Sequence, residues 1–325
     1  MMKFTSIPEA YSSFREPLLY AFDTEQAEPR DVELRIINKA DNAVIGRKRL
    51  YGVTAGEVDI APYLRSVAVT TLPDAITECG VVDTNAQITV VVEAEGVSSA
   101  VRNFVAAKVD LNEIYTPLMT QHLHRTMARD EFDLISFFSQ PNITVEVVVE
   151  FFGKGTDVVS ITPPSGGQQV VAVTARGREG VDNIRATVKV DGVATTIVEY
   201  EIKSNLKGAR RLAWLNDNLA PELYTFPLRK SVLIEAARKS MESIWGREAA
   251  AAERENELKL LSAYEPQAQI EALSSILSTP KAWLVRGCEL QRVAITTDRV
   301  MPATCGEMGI IEVDIRAARE GEVLW

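Results

Sequence analysis

From Arg211 to Pro227 the chain reads Arg-Leu-Ala-Trp-Leu-Asn-Asp-Asn-Leu-Ala-Pro-Glu-Leu-Tyr-Thr-Phe-Pro. Two runs rich in large apolar and aromatic side chains, which are typical of strands, flank a centre rich in turn-forming residues. The large side chains are those of Leu212, Trp214, Tyr224 and Phe226, and the turn formers are Asn216, Asp217 and Asn218. This stretch therefore predicts a β-hairpin whose aromatic side chains enter a β core.

Alternation of apolar and polar residues recurs elsewhere in the chain and predicts half-buried strands. It is clearest at 32–36, 184–190 and 311–315. Between 184 and 202, Asp191-Gly192 interrupts two alternating runs and suits the positive backbone angles of a type I′ turn, which predicts a tight hairpin. More uniformly apolar runs at 88–95 and 143–152 predict central strands covered on both faces.

These signals predict a mainly β protein of tandem β-sandwich-like domains, because short strands with regular turn signals are typical of sandwiches. Turn chemistry and composition divide the chain into domains at 1–115, 116–204 and 205–325, and 116–133 is expected to break the strand pattern. The first two domains are expected to contain a turn or helix at 61–66 and strands near 18–23, 32–38, 43–51, 56–60, 86–95, 98–108, 143–152, 157–162, 168–175, 184–190 and 193–202.

One short helix is predicted in the C-terminal domain, near 266–278. Pro266 suits a first helical turn, and Pro280 lies just past the expected end. Ile270, Leu273 and Leu277 share one face of this helix, which predicts that the face packs on the core.

Composition limits the classes of protein that fit. The 325 residues include 46% hydrophobic and 25% charged residues, which suffices for two or three packed cores in a soluble protein. The N-terminus lacks the apolar region of a signal peptide, and no window approaches the roughly 18 apolar residues of a membrane helix. The formal net charge of -10 disfavours sequence-independent nucleic-acid binding. Cys79, Cys288 and Cys305 are too scattered for a disulfide framework and predict a reducing compartment, with a Cys288–Cys305 bridge as the alternative.

Several short motifs resemble structural proteins of the tails and baseplates of tailed phages and prophages of gut Bacteroidales. The residues that carry the resemblance are Trp214-Leu215-Asn216 with Tyr224-Thr225-Phe226, Ala10-Tyr11 with Glu16–Phe22 and Val32–Asn38, and Ala263–Pro266 with Ile276–Val285 and Val293–Thr296. The resemblance implies a first strand that enters a small sandwich, and a closing helix followed by a strand pair. It also implies a structural role in the virion.

The segment 231–262 supports two interpretations. Leu233, Ala237, Met241 and Ile244 fall at helical spacing in a stretch rich in Ala, Glu, Lys and Arg. The resemblance to phage proteins instead implies a strand after Tyr-Thr-Phe-Pro, and Val232, Ile234 and Ala236 alternate accordingly. We favour a strand at 231–240, with 248–254 helical or loose.

The two histidines of the chain are the first candidate ligands. His122 and His124 form a His-x-His pair, which on a strand would direct both rings to one face and supply two metal ligands. Asp130, Glu131 and Asp133 follow closely, but no recognised spacing completes a site. We therefore interpret the histidines as ordinary surface imidazoles and predict no metal site.

Other chemical motifs are also lacking in the sequence. Gly153-Lys154-Gly155-Thr156 does not have the spacing of a phosphate-binding loop, and we interpret it as a turn, as we do 177–180. The sequence predicts no enzyme, no catalytic residue and no cofactor. A glycosidase-like pair of acids stays open as an alternative, because acids brought together by folding leave no local mark.

The function expected from these observations is that of a phage tail or baseplate structural protein. It would assemble with itself in a symmetric ring and with other virion proteins, without membrane or nucleic-acid partners, after synthesis in the bacterial host cytoplasm. The alternative is a glycan- or receptor-binding module of immunoglobulin-like domains, which would expose aromatic platforms. We interpret Trp214, Trp245 and Trp283 as core or interface anchors instead. The basic residues that could form a patch, but are more simply a solvated rim, are Lys207, Arg210, Arg211, Arg229 and Lys230.

Overall fold

The protein, in a computed structural model, is described at residues 2–67, 70–107, 113–164, 166–203, 206, 208–244, 246–299, 303–305 and 307–319. The fold is mainly β, with 56% of residues in strands and 7% in helices. It contains several sheets and a short helix near the C-terminus, which confirms the predicted fold class of tandem β-sandwich-like domains.

The N-terminal part contains two sheets that share one core. Its elements are β1 Lys3–Ser6, β2 Tyr11–Ser13, β3 Leu19–Asp23, β4 Arg30–Asn38, β5 Val44–Val53, β6 Ala55–Asp59, α1 Ala61–Val67, β7 Gly80–Val81, β8 Gln87–Ala94, β9 Val97–Ser98 and β10 Arg102–Val105. One sheet has the order β1-β3-β6 and the other β2-β10-β8-β4-β5, with β9 beside β8. Val32, Leu34 and Ile36 of β4 are fully buried, as their alternation predicts. The strand predicted at 98–108 is wrong in length, because in the described part of this range, 98–107, the strands are the end of β9 and the four residues of β10.

The middle part has a similar two-sheet arrangement. Its strands are β11 Tyr115–Pro117, β12 His124–Ala128, β13 Phe132–Ser139, β14 Val145–Phe151, β15 Gly155–Ile161, β16 Gly167–Thr174, β17 Asn183–Val190 and β18 Val193–Lys203. The sheets have the orders β11-β13-β16-β7 and β12-β18-β17-β14-β15, so that β7, from earlier in the chain, completes the first of them. Asp191 and Gly192 have φ of 48° and 83°, which confirms the predicted hairpin.

The prediction that 116–133 interrupts the strands is wrong. β11 overlaps its start, β12 lies within it as the parallel neighbour of β18, and β13 begins at its end. Every residue of β13 is buried, including Asp133 and Ser136. These polar residues disrupt the apolar pattern along the sequence, but their side chains find hydrogen-bond or ionic partners across the fold.

The C-terminal part contains a seven-stranded sheet with the order β20-β19-β24-β25-β28-β22-β21 and a small sheet with the order β23-β27-β26. The elements are β19 Arg210–Leu215, β20 Pro221–Phe226, β21 Leu228–Ser243, β22 Gly246–Leu261, β23 Glu265–Pro266, α2 Gln267–Ser274, a 3₁₀ helix Ser275–Ser278, β24 Ala282–Arg286, β25 Glu289–Ile295, β26 Ala303–Cys305, β27 Met308–Ile310 and β28 Glu312–Ala317. Ile270 and Leu273 of α2 pack into the core around Trp214. The helix predicted at 266–278 is confirmed, with a 3₁₀ last turn.

The ambiguous segment 231–262 is a long hairpin. The strand predicted at 231–240 is confirmed, because it lies within β21. The prediction of a helix or loose chain at 248–254 is wrong, because these residues lie in β22 and pair with β21. Backbone pairing with a neighbouring strand thus outweighs the helix propensity of the alanine-rich sequence.

The stretch 211–227 is the hairpin of β19 and β20, in which Trp214 lies opposite Glu222. Trp214 is fully buried, and its Nε1 donates to Ser275 Oγ at 2.9 Å. Asn216 organises the turn, because its Oδ1 accepts from the backbone N–H of Asn218 and of Ala220 at 2.9 and 3.1 Å. Its Nδ2 donates to the Leu118 carbonyl at 2.8 Å, which connects the turn to the middle part of the chain.

Replacing Asn216 by alanine is expected to destabilise the protein. The substitution removes the acceptor for two backbone N–H groups at a buried turn, and each unsatisfied buried group costs about 1–3 kcal/mol. Denaturant unfolding measures the loss, and the matched control is Asn218→Ala at the neighbouring, partly buried position. Equal stability of both variants would contradict the role given to Asn216.

Candidate functional site

The hairpin of β21 and β22 extends beyond the sheet to which it belongs. β22 pairs with β28 only from Glu257 to Leu261, whereas the eleven residues 246–256 pair with β21 alone. At about 3.3 Å per residue these eleven positions span roughly 36 Å. We name this two-stranded extension, residues 234–244 and 246–256, the ribbon.

Both long edges of the ribbon are open among the described residues. β21 is the last strand of the seven-stranded sheet, and no described strand pairs with 246–256 on the side away from β21. Open edges present backbone N–H and C=O groups that can pair with another chain. Since an isolated two-stranded hairpin is only marginally stable in water, a strand added at either edge would stabilise the ribbon.

The end of the ribbon exposes apolar side chains. Ile244 is 93% exposed and Met241 is 52% exposed. The pairing register of β21 with β22 shifts at two places, between Arg229 and Ser231 and between Lys239 and Ser240, as it does at a β-bulge. Such bulges increase the local twist of a strand and occur often at sheet edges, where they limit indiscriminate pairing.

Ion pairs fix the base of the ribbon to β28. Lys259 Nζ lies 2.9 Å from Glu312 Oε1 and 3.2 Å from Asp314 Oδ2, and Arg316 Nε lies 2.6 Å from Glu257 Oε2. Hydrogen bonds to Glu312 and Asp314 raise the pKa of Lys259. Because these pairs are partly exposed, they orient the strands more than they stabilise the fold.

A buried ionic cluster joins the middle and C-terminal parts. Arg125 Nη1 of β12 donates to Asp133 Oδ2 of β13 at 2.9 Å, and Arg211 Nη2 of β19 lies 3.2 Å from Asp133 Oδ1. The three side chains are only 5%, 0% and 1% exposed. One carboxylate therefore serves two guanidinium groups from different sheets. Glu131 lies 4.0 Å from Arg211, and burial raises the pKa of this second carboxyl.

Hydrogen bonds extend the connection made by Arg211. Its Nε donates to the Phe132 carbonyl at 3.1 Å, and its Nη1 donates to the Thr126 carbonyl and to Thr225 Oγ1 at 3.1 and 2.7 Å. Glu222 of β20 accepts from Thr120 Oγ1 at 2.8 Å. The hairpin of β19 and β20 is therefore bonded directly to the middle sheets, and the apolar cluster that includes Phe132 and Trp283 continues the same contact.

The interpretation of the basic residues as a solvated rim is wrong for Arg211, which is buried in this cluster. Arg210 is partly buried, whereas Lys207 and the side chains of Arg229 and Lys230 lie outside the described residues. Sequence reasoning also missed Arg125, and it considered Asp133 only as an acid near the His-x-His pair. One signal was available, because Arg125 lies two residues before Met127 and so shares its inward face on β12.

His122 and His124 are exposed, and only His124 lies within β12. They border a cavity of about 190 Å³ with Arg125 at its wall, and His124 Nδ1 lies 3.8 Å from Glu199 Oε2. Among the described residues, no three His, Cys, Asp or Glu side chains are grouped as a metal site requires.

The remaining sequence candidates have plain structural positions. Gly153-Lys154-Gly155-Thr156 forms the turn between β14 and β15 and the start of β15, as predicted, and 177–180 is a loop. Cys79 and Cys288 are free thiols, while the Cys305 side chain and Trp245 lie outside the described residues.

Comparison of the chain with protein-family models found no match, and comparison with curated proteins found none. In the described part of the chain, no helix combines the length and apolar character needed to cross a bilayer.

Proposed function

We propose that this chain is a structural protein of a phage tail or baseplate, and that it acts by assembling with copies of itself and with other virion proteins. The observation that carries the proposal is the ribbon, which projects roughly 36 Å with two open edges. The motifs at 214–216 and 224–226 supply the resemblance to phage proteins.

The ribbon suits assembly by strand addition. A strand from a neighbouring subunit can pair with an open edge through backbone hydrogen bonds, while apolar side chains such as Ile244 become buried. When the ribbon contacts a different surface of the next copy, the contact is heterologous, and it closes into a ring if the rotation between copies permits. Such a ring within the virion is the arrangement that we propose.

The buried cluster around Asp133 suits the same role. If the ribbon sets the position of the next subunit, the sheets in the rest of the chain must keep a fixed relative orientation. Arg211 and Arg125 supply this by bonding one carboxylate from two sheets. The net charge of -10 would keep unassembled copies apart in the host cytoplasm.

The alternative, a glycan- or receptor-binding module, would require an exposed aromatic platform. Trp214 is fully buried and Trp283 is 6% exposed, so neither ring is presented to a sugar. This burial removes Trp214 and Trp283 as a platform, and the most exposed described rings that the alternative could use are those of Tyr51 and Tyr264, at 70% and 61%.

The proposal is tested by locating the protein and measuring its mass. We expect purified phage or induced prophage particles to contain the chain at a fixed ratio to other tail proteins, by quantitative mass spectrometry. We expect the purified chain to form a ring of defined mass by native mass spectrometry. A chain that is monomeric and absent from particles would refute the proposal.

A further inference from the structure

A cleft of about 620 Å³ lies at the surface of the C-terminal sheet, next to β24 and β25. In the strand order these strands lie on one side of β28, and the hairpin of β21 and β22 lies on the other. The walls of the cleft come from the crossing segment 71–74, from the start of β24, from β25 and from the residues that follow β28. We name it the basic cleft, after Lys281, Arg292 and Arg319, which line it. Its volume is in the range of sites for small organic molecules.

The charges in the basic cleft do not balance. Three cationic side chains line it, and Asp74 is the single acidic residue in the described part of its lining. Among the described residues, no carboxylate lies within ion-pair distance of Lys281, Arg292 or Arg319. Burial and then the charge of Arg292 lower the pKa of Lys281, so the two cations repel each other in the free protein.

This imbalance is notable because the chain as a whole is acidic, with 45 acidic and 35 basic residues. Carboxylates are thus plentiful, yet Asp74 is the one described carboxylate that lines the cleft, and it lies beyond ion-pair distance of the three cations. Like charges that converge without a counterion raise the energy of the folded state, and a bound anion removes that cost.

Backbone bonds keep the walls of the basic cleft in place. Lys281 Nζ donates to the Thr70 carbonyl at 3.0 Å, the backbone N–H of Leu290 donates to the Asp74 carbonyl at 2.9 Å, and that of Ala318 donates to the Arg292 carbonyl at 3.2 Å. The backbone segments next to the cationic side chains are therefore bonded to one another. Apolar surface from Leu72, Trp283 and Leu290 lines the same space.

We propose that the basic cleft binds a small organic anion with at least two phosphate or carboxylate charges on a compact body. Arg292 and Arg319 supply planar guanidinium forks that match either oxyanion, and Lys281 supplies a point charge. The apolar wall contacts the body of the ligand. A nucleic-acid strand is disfavoured, because the surrounding net charge would repel its backbone. The proposal is independent of virion assembly.

The test is isothermal titration calorimetry of the full chain with three probes. Citrate carries carboxylates, fructose 1,6-bisphosphate carries phosphates on a sugar, and fructose is the uncharged counterpart. We expect saturable binding of at least one anion and none of fructose. Arg292→Gln and Arg319→Gln should each weaken that binding by about tenfold or more. The preferred anion then identifies the source of the charge.

The matched control is Arg286→Gln, which removes an exposed guanidinium from the end of β24, outside the lining of the basic cleft. We expect this variant to bind as the natural chain does. Two results would overturn the proposal: no saturable binding of either anion, or equal weakening by all three substitutions, which would indicate only a general effect of surface charge. Neither result bears on ring formation, so the two proposals fail separately.

Discussion

Replacing Asp133 by alanine is expected to lower the free energy of unfolding by about 3–5 kcal/mol, the usual result of removing one partner from a buried ion cluster. Asp133 is fully buried between Arg125 and Arg211, and both guanidinium groups would stay buried without their shared carboxylate. Glu131 forms no ion pair with Arg125 among the described residues, so it does not replace Asp133 in both pairs, and it lies 4.0 Å from Arg211. Urea unfolding with linear extrapolation measures the change.

Two further variants make this expectation specific. Asp182→Ala is the matched control, because Asp182 is 80% exposed and its carboxylate lies 3.7 Å from Arg129, so the free energy should change by less than about 1 kcal/mol. Asp133→Asn keeps the size of the side chain but removes its charge, and most of the destabilisation should persist. If Asp133→Ala were as stable as Asp182→Ala, the cluster would not hold the sheets together.

Shortening the ribbon is expected to abolish self-assembly without unfolding the body of the protein. Ile234 and Asn256 are paired in register, so residues 235–255 can be replaced by Asn-Gly, which favours a tight type I′ turn. Among the hairpin residues whose side chains the structure describes, Leu258 and Leu260 belong to the C-terminal core, and both are retained. Light scattering after size-exclusion chromatography should show a monomer, while the thermal unfolding midpoint stays close to that of the full chain.

Point variants separate the ribbon end from general surface effects. Ile244→Asp places a charge at the 93% exposed position and should weaken assembly, because burying that charge in a contact is costly. The control is Val193→Asp at another exposed hairpin position, where Val193 is 67% exposed, and assembly should be unchanged. A shortened protein that still forms the same oligomer would show that the ribbon is not the contact.

The regular strands of this fold could be predicted because their signal is local. Val32, Leu34 and Ile36 alternate with polar neighbours, and every inward position of such a strand meets the core. Asp191-Gly192 likewise specifies its own turn, since positive φ at two successive residues is a local requirement. Pro266 and the spacing of Ile270 and Leu273 were sufficient for the helix.

The strands and site that were missed depend on partners distant in sequence. β13 is a fully buried strand that contains Asp133. Burial of this carboxylate is unfavourable unless it is paired, and one of its partners, Arg211, lies 78 positions later in the chain. The alanine-rich part of β22 favours a helix when considered alone, and only pairing with β21 makes it a strand. The ribbon was therefore absent from the sequence-based interpretation.

By itself the sequence determined the mainly β fold, the turns and the packing of Trp214, because the period of apolar residues and the φ requirements of turns act within a few residues. Only the tertiary structure decided that Arg211 is buried, that β22 extends beyond its neighbour β28, and that three cationic side chains line one cleft. Burial and charge balance are set by residues that meet in space, and no local pattern records which residues those are.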